Sequence, residues 1–148
     1  NKREAANLTK ENSVRLGLSD QIVVINKKAP EGFEELPTPT HVFIGGSSGA
    51  LSDNFVAIPK KVNRKENTKR KTDKASKGVR VVINAVSLET IAQITKIDSD
   101  YPVKHVQLTQ IQASRAHKLG SYNLMQAQKS VLIASFNLLP GDKMEADE

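Results

Sequence analysis

Residues 79–90 read Val-Arg-Val-Val-Ile-Asn-Ala-Val-Ser-Leu-Glu-Thr, and this stretch decides the fold class. Its first part, Val79–Ala85, is an apolar run of the kind found in strands that are covered on both faces of a parallel sheet. Ser87 is a good helix N-cap, and the acidic and hydroxyl residues that follow suit the first turn of a helix. We therefore predict a buried strand over Val79–Ala85 and a helix from Leu88 to about Ser99.

The sequence on either side repeats this alternation of apolar strands and helices. A strand is predicted over His41–Ile44, and it leads through a glycine-rich loop into a helix predicted over residues 50–58. Val103–Ile111 has a mixed alternating pattern that is typical of a strand near the edge of a sheet. The remaining patterns predict a helix over Lys2–Leu16 that ends at Gly17, strands over Gln21–Asn26 and Val131–Phe136, and a short helical turn over Glu31–Leu36. Together these elements indicate an α/β sheet, in which ligands bind at the carboxyl ends of the strands.

The composition excludes several kinds of protein. The chain has 148 residues, enough for one domain, and it contains no cysteine. A disulfide framework, a thiolate zinc site and a thiol nucleophile are therefore excluded. The three histidines are scattered without metal-ligand spacing, so no metal is expected. No apolar run approaches the roughly 18 residues of a membrane span, and no secretory signal is visible, so we expect a cytoplasmic protein without membrane contact.

Positive charge is concentrated in residues 59–78. This segment holds nine basic and two acidic residues, whereas the whole chain carries a formal net charge of +6. The rest of the chain is close to neutral, so a uniformly basic surface for nucleic acid is not predicted. Aromatic residues make up only 4% of the chain, which argues against binding by base stacking. We interpret the segment as a solvated basic insert and expect no nucleic-acid partner, with RNA binding as the alternative.

Gly45-Gly46-Ser47-Ser48-Gly49 matches the G-x-S-x-G pattern between a predicted strand and a predicted helix. One interpretation is the nucleophile elbow of a serine hydrolase. Its triad would combine Ser47 with an acid at Asp98 or Asp100 and a base at His105 or His117. No oxyanion segment accompanies the pattern, and an acid at the carboxyl end of a helix is electrostatically disfavoured. We favour a loop whose glycines let the backbone approach a ligand closely.

Three segments taken together resemble one enzyme family. Ala29-Pro30, Phe43–Gly49 and Val82–Thr90 are similar to the decarboxylating precorrin methyltransferases of cobalamin (vitamin B12) biosynthesis, which act at C15 of (cobalt-)precorrin-6B. The resemblance covers Asn1 through Phe136 apart from the basic insert. It implies a class I, Rossmann-like methyltransferase fold, S-adenosylmethionine as cofactor and a tetrapyrrole substrate. It also implies a homo-oligomer, with a tetramer as the expected state.

The resemblance assigns roles to individual residues, although no catalytic residue and no metal ligand follow from it. The positions that bind the cofactor are matched by Ala29, Pro30, Gly45 and Gly46. The positions that bind the substrate are matched by Ser47, Ser48, Gly49, Asn84, Glu89 and Arg115. Arg115 is a plausible ion-pair partner for a propionate of the macrocycle.

The chain also departs from the family pattern. Lys27 stands where the family has glycine, Lys129-Ser130 stands where it has Asn-Pro, and the glycine-rich cofactor motif is missing. We therefore interpret residues 1–148 as the C-terminal part of one methyltransferase domain with a basic insert at 59–78. Its sheet is expected to lack the first two strands, and the chain alone is expected to be inactive. An RNA methyltransferase, a serine hydrolase and a non-enzymatic remnant are the alternatives.

Overall fold

The computed structural model describes residues 2–45, 51, 57–58 and 78–140. These residues belong to two units, Asn1–Leu36 and Pro37–Glu148. The described helices are α1 (Lys2–Arg15), α2 (Leu88–Ile94) and α3 (Ile97–Asp100). The described strands are β1 (His41–Ile44), β2 (Val79–Ala85), β3 (Val103–Ile111), β4 (Ser114–Leu119), β5 (Tyr122–Ala127) and β6 (Val131–Leu138). No helix among these residues is both long and apolar enough to cross a membrane.

The first unit begins with α1, and the predicted helix end at Gly17 is confirmed. Gly17 has a φ of 69°, the left-handed conformation that glycine adopts without steric cost. The backbone N–H of Leu18 donates to the carbonyl of Ser13 at 2.8 Å, and that of Gly17 donates to Val14 at 3.0 Å. These two hydrogen bonds form a Schellman motif, which satisfies the last carbonyls of the helix.

The strand predicted over Gln21–Asn26 is wrong. The segment forms no ladder with any described strand, and Val23 is 80% exposed. An apolar run becomes a strand only where a neighbouring strand accepts its backbone hydrogen bonds, and the described residues provide none here. The helical turn predicted over Glu31–Leu36 is present as a shorter 3₁₀ helix, Phe33–Glu35, which Lys27 braces through a 3.2 Å ion pair with Glu35.

The second unit is built on a four-stranded sheet in the order β1-β2-β6-β3. β1 and β2 are parallel, whereas β6 runs antiparallel to both β2 and β3. The predicted bounds of β1, β2 and β3 are confirmed, and β6 extends two residues beyond its predicted end. β3 lies at the edge of the sheet as predicted, and its register shifts between Lys104 and Gln107, where His105 has a φ of 56°. Such a bulge discourages further strand pairing at an edge.

One face of the sheet forms the hydrophobic core. β2 alternates strictly, so that Val81 and Ile83 are fully buried while the residues between them are half-buried. Phe136 of β6 packs on the same side. The core is completed by Ile44, Leu51, Ile58, Val79, Ala85, Ile94, Ile97, Tyr101, Ala134 and Leu138. The helix predicted over residues 50–58 is described only at 51, 57 and 58, which have helical backbone, and the basic residues 59–77 lie outside the described part.

The helix predicted from Leu88 to about Ser99 is divided into α2 and α3. Ser87 caps α2 as predicted, since its hydroxyl oxygen accepts from the backbone N–H of Thr90 at 3.3 Å. The division falls at Thr95, whose hydroxyl donates to the carbonyl of Ala92 at 2.9 Å. Lys96 then bonds to the carbonyl three residues back instead of four. Side-chain hydrogen bonds of this kind compete with the helical ladder and end it.

The sequence analysis did not predict the hairpin formed by β4 and β5. Among the described strands these two pair only with each other, and every residue in them is exposed. They are joined by the two-residue turn Gly120-Ser121, and Gly120 has a φ of 62°. Glycine at the first turn position is typical of a type II′ hairpin, so the Gly-Ser pair was the available signal.

Candidate functional site

The candidate site lies where β1 and β2 end together. Ile44 pairs with Ile83 in the parallel ladder, so Gly45 and Asn84 follow side by side at the carboxyl edge of the sheet. β2 and β3 both run antiparallel to β6, so β3 ends at the same edge. The hairpin of β4 and β5 follows β3 directly and therefore begins at this edge too. In open α/β sheets, this is the edge at which ligands bind.

Gly45 is confined by the strand that precedes it. A Cβ atom added there would lie 3.1 Å from Cε1 of Phe43, closer than side chains normally approach. Phe43 itself is 67% exposed and lies on the sheet face opposite the core. A larger residue than glycine at position 45 would therefore displace this ring or change the path of the loop. The next four residues, Gly46, Ser47, Ser48 and Gly49, lie outside the described part.

The connection from β2 to α2 is short and fixed at both ends. Asn84 is half-buried near the end of β2, and only Val86 and Ser87 separate the strand from α2. The Ser87 hydroxyl also donates to Oγ1 of Thr90 at 3.0 Å, in addition to accepting the backbone bond of that residue. Glu89 is exposed in the first turn of α2. The structure therefore brings Gly45, Asn84 and the start of α2 to one edge of the sheet.

The other predicted site residues belong to other elements. Ala29 and Pro30 are half-buried in the first unit, where a cis peptide bond joins them. Arg115 is exposed on β4, in the hairpin and outside the four-stranded sheet. Among residues 2–45, 51, 57–58 and 78–140, no group of three His, Asp or Glu side chains is arranged to hold a metal ion.

Three of the groups proposed for a hydrolase triad lie away from this edge, whereas Ser47 is outside the described part and His117 is on β4. Asp98 and Asp100 lie in α3, which leads into the first residue of β3. That residue, Val103, pairs with Leu138, which also pairs with Val79 at the start of β2. His105 follows two residues later. Both acids and this histidine are therefore at the opposite edge from Gly45.

An open groove of about 450 Å³ lies beside the end of β2, and the sequence analysis did not anticipate it. Four apolar and three polar residues line it: Val86, Leu88, Ile91 and Leu132, with Gln110, Lys129 and Ser130. Ala85 pairs with Leu132, and Leu132 pairs with Gln110, so the groove follows one row across three strands at the carboxyl edge. Its volume lies within the range of small-molecule sites, and its open shape would leave part of a ligand in solvent.

The strand order and the parallel pair β1–β2 define a Rossmann-like α/β sheet, the fold class of methyltransferases. A SAM-dependent O-methyltransferase from Thermotoga maritima aligns with a TM-score of 0.57 at 14% identity, covering 99% of this chain and 49% of that one. At this identity the likeness concerns the fold.

The chain belongs to the precorrin methyltransferase domain family, whose sequence model matches residues 1–137. The C-terminal domain of precorrin-6Y C5,15-methyltransferase from Rhodobacter capsulatus aligns with a TM-score of 0.61 at 28% identity, covering 87% of this chain and 60% of that one. A Pyrobaculum calidifontis protein named "probable cobalt-precorrin-6B C(15)-methyltransferase (decarboxylating)" is 31% identical over 130 residues, which cover 88% of this chain and 59% of the relative. The chain thus spans about three-fifths of the length of the curated relatives that it matches.

Proposed function

We propose that the whole protein transfers a methyl group from S-adenosylmethionine to C15 of (cobalt-)precorrin-6B and removes the carboxyl group of an acetate arm as carbon dioxide. The reaction would belong to cobalamin biosynthesis. Membership of the precorrin methyltransferase domain family over residues 1–137 is the observation that carries this proposal. The meeting of Gly45 and Asn84 at the carboxyl edge of a parallel pair supports it. A cytoplasmic location stays a prediction from the sequence.

The described residues fit part of a cofactor site. A Cβ atom at Gly45 would crowd the Phe43 ring, so the chain presents only backbone at this position. We propose that Gly45, Gly46, Ala29 and Pro30 bind the cofactor, whose chemical contribution when bound is an electrophilic methyl group. Ser47, Ser48, Gly49, Asn84, Glu89 and Arg115 are proposed to bind the substrate.

The arrangement suits methyl transfer, because the rate of that reaction depends mainly on how the two reactants are positioned. An in-line displacement gains most from holding the two reactants in contact and excluding water. The β2–α2 connection provides a rigid edge for this purpose, since Ser87 fixes α2 through two contacts with Thr90. Asn84, half-buried at the end of β2, offers an amide that can donate and accept hydrogen bonds.

Calorimetry of the full-length protein with S-adenosylmethionine tests the cofactor. We expect micromolar affinity, and an affinity at least about tenfold weaker in Gly45→Val, because the added side chain would force Phe43 to move. Gly120→Asn is the control, since a Cβ atom there meets nothing within 4 Å and asparagine tolerates the left-handed φ of 62°. Absence of binding at high micromolar cofactor would contradict the proposal. Labelling by a fluorophosphonate that is lost in Ser47→Ala would favour the hydrolase.

We also propose a homo-oligomer, with a tetramer as the state implied by the family. The exposed hairpin supports it, because Leu119 and Tyr122, which pair across the two strands, and Leu124 on the same face are each at least half exposed. Large apolar side chains clustered on a projecting element are typical of protein interfaces. Light scattering after size-exclusion chromatography measures the mass directly, and Tyr122→Asp is expected to lower it. A monomer at every concentration would overturn this part.

A further inference from the structure

We propose that the groove beside α2 holds the apolar face of a carboxylated tetrapyrrole, and that Lys129 pairs with one of its carboxylates. This inference rests on the proposed function and adds to it a substrate-binding residue, Lys129, at which this chain departs from the family pattern. Lys129 and Ser130 lie just before β6, at the base of the hairpin.

The groove is at the correct edge for a substrate site. Its row of paired residues, Ala85, Leu132 and Gln110, crosses β2, β6 and β3 where β2 ends. Gly45 and Asn84 lie at the same edge. A ligand seated in the groove can therefore extend across the carboxyl ends of the strands toward the region proposed for the cofactor.

The floor of the groove is apolar and accessible. Val86 and Leu88 flank the N-cap Ser87 and are 64% and 79% exposed, although both are large apolar side chains. Ile91, one turn further along α2, and Leu132 extend the same surface inward. Because Ser87 is fixed by Thr90, these side chains are held at a defined position and do not belong to a loose loop. A contiguous apolar surface beside a candidate site is typical of ligand binding.

The polar rim favours an anion. Lys129, Ser130 and Gln110 supply donors, and no acidic side chain lines the groove. Residues 101–140 contain no Asp or Glu at all, while Lys104, Arg115, Lys118 and Lys129 are basic. Among the described residues, no carboxylate lies within ion-pair distance of Lys129. Lys129 is the one charged residue among the seven described residues that line the groove, so a ligand carboxylate has a cationic partner there.

The apolar floor of the groove and the positive charge of Lys129 together define the ligand. A small anion would gain nothing from the four apolar residues of the floor, and an uncharged apolar ligand would gain nothing from Lys129. A tetrapyrrole with acetate and propionate arms combines a broad apolar face with carboxylates at its rim. The groove of about 450 Å³ is large enough to take an edge of such a macrocycle rather than the whole.

The test uses coproporphyrin, a macrocycle with propionate arms, and follows its absorbance and fluorescence polarisation as the protein is added. The protein contains no tryptophan, so the probe's own signal is measured. We expect Lys129→Gln to bind about fivefold more weakly and Lys129→Glu more weakly still. Leu88→Asp should weaken binding at least about tenfold, and its exposed position allows the fold to persist. Lys104→Gln removes the same charge at the opposite end of β3 and should change affinity less than about twofold.

The outcomes separate this inference from the proposed function. Equal affinities of Lys129→Gln and Lys104→Gln, or the same difference at about 0.05 M and 0.5 M salt, would overturn the ion pair. Cofactor binding without porphyrin binding would overturn the groove proposal and leave the cofactor assignment standing. Porphyrin binding that depends on Lys129, without any cofactor binding, would support the groove and contradict the methyltransferase proposal. Thermal unfolding of each variant shows that the comparison is made between folded proteins.

Discussion

Gly78 lies just before β2 and packs closely against the backbone of Leu138, the last residue of β6. It has a φ of 71°, and a Cβ atom added there would lie 2.5 Å from the backbone carbonyl oxygen of Leu138. Gly78→Ala is therefore expected to lower the free energy of unfolding by more than about 2 kcal/mol, because the backbone itself must move. Gly17→Ala is the control, since that glycine has a φ of 69° but open space around it, and should cost only about 1 kcal/mol. Equal losses in chemical denaturation would contradict the steric argument.

Sequence reasoning succeeded at residues whose role is local. Gly17 and Ser87 were predicted as a helix end and a helix cap, and both are confirmed, because such roles depend on neighbours a few residues away. Gly78 and Lys129 gave no local signal. The role of Gly78 comes from Leu138, sixty residues along the chain, and the position of Lys129 depends on three strands meeting at one edge.

At the scale of elements, α2 should depend strongly on its cap. It has only seven residues, so the two hydrogen bonds between Ser87 and Thr90 at its start are a large share of its stabilisation. Ser87→Ala should lower the free energy of unfolding by about 1 kcal/mol, whereas Ser87→Asp should retain most of it. Ser99→Ala, which removes an exposed hydroxyl that donates to the Lys96 carbonyl, should change it by less than about 0.5 kcal/mol. Chemical denaturation measures all three variants, and an equal loss in Ser87→Ala and Ser99→Ala would count against the cap.

The elements that sequence predicted well are those with one buried face. Both bounds of β2 were predicted correctly, because its buried and half-buried residues alternate as expected of a strand with the core on one side. Gln21–Asn26 has an equally apolar sequence but no partner strand among the described residues, so its composition alone led to the wrong prediction of a strand. The hairpin of β4 and β5 was not predicted, because all its residues are exposed and no hydrophobic periodicity marks its strands. Pairing is a property of two segments, and a single segment does not reveal it.

For the whole molecule, the fold class was predictable because it depends on the order of strands and helices, and the strand directions agree with it. The candidate site was predictable only in part. The edge at Gly45 and Asn84 follows from the parallel arrangement, whereas the groove requires α2, β3 and β6 to be packed together. That packing depends on contacts between distant segments, which the one-dimensional pattern does not contain.

The charge of the whole molecule leads to a final prediction. The net charge of +6 is due to residues 59–78, so replacing their nine basic residues by glutamine should leave an acidic protein. We expect the native chain to bind a labelled RNA oligonucleotide weakly at about 0.05 M salt and hardly at about 0.2 M, and the variant to bind at neither, since such binding comes from counterion release. A variant that exchanges Lys and Arg within the segment keeps the charge and should behave like the native chain. In the full-length protein, the affinity for S-adenosylmethionine should change less than about twofold, because the predicted cofactor contacts lie outside this segment. RNA binding that persists at higher salt and depends on sequence would instead favour the RNA methyltransferase, because only contacts to bases resist screening in this way.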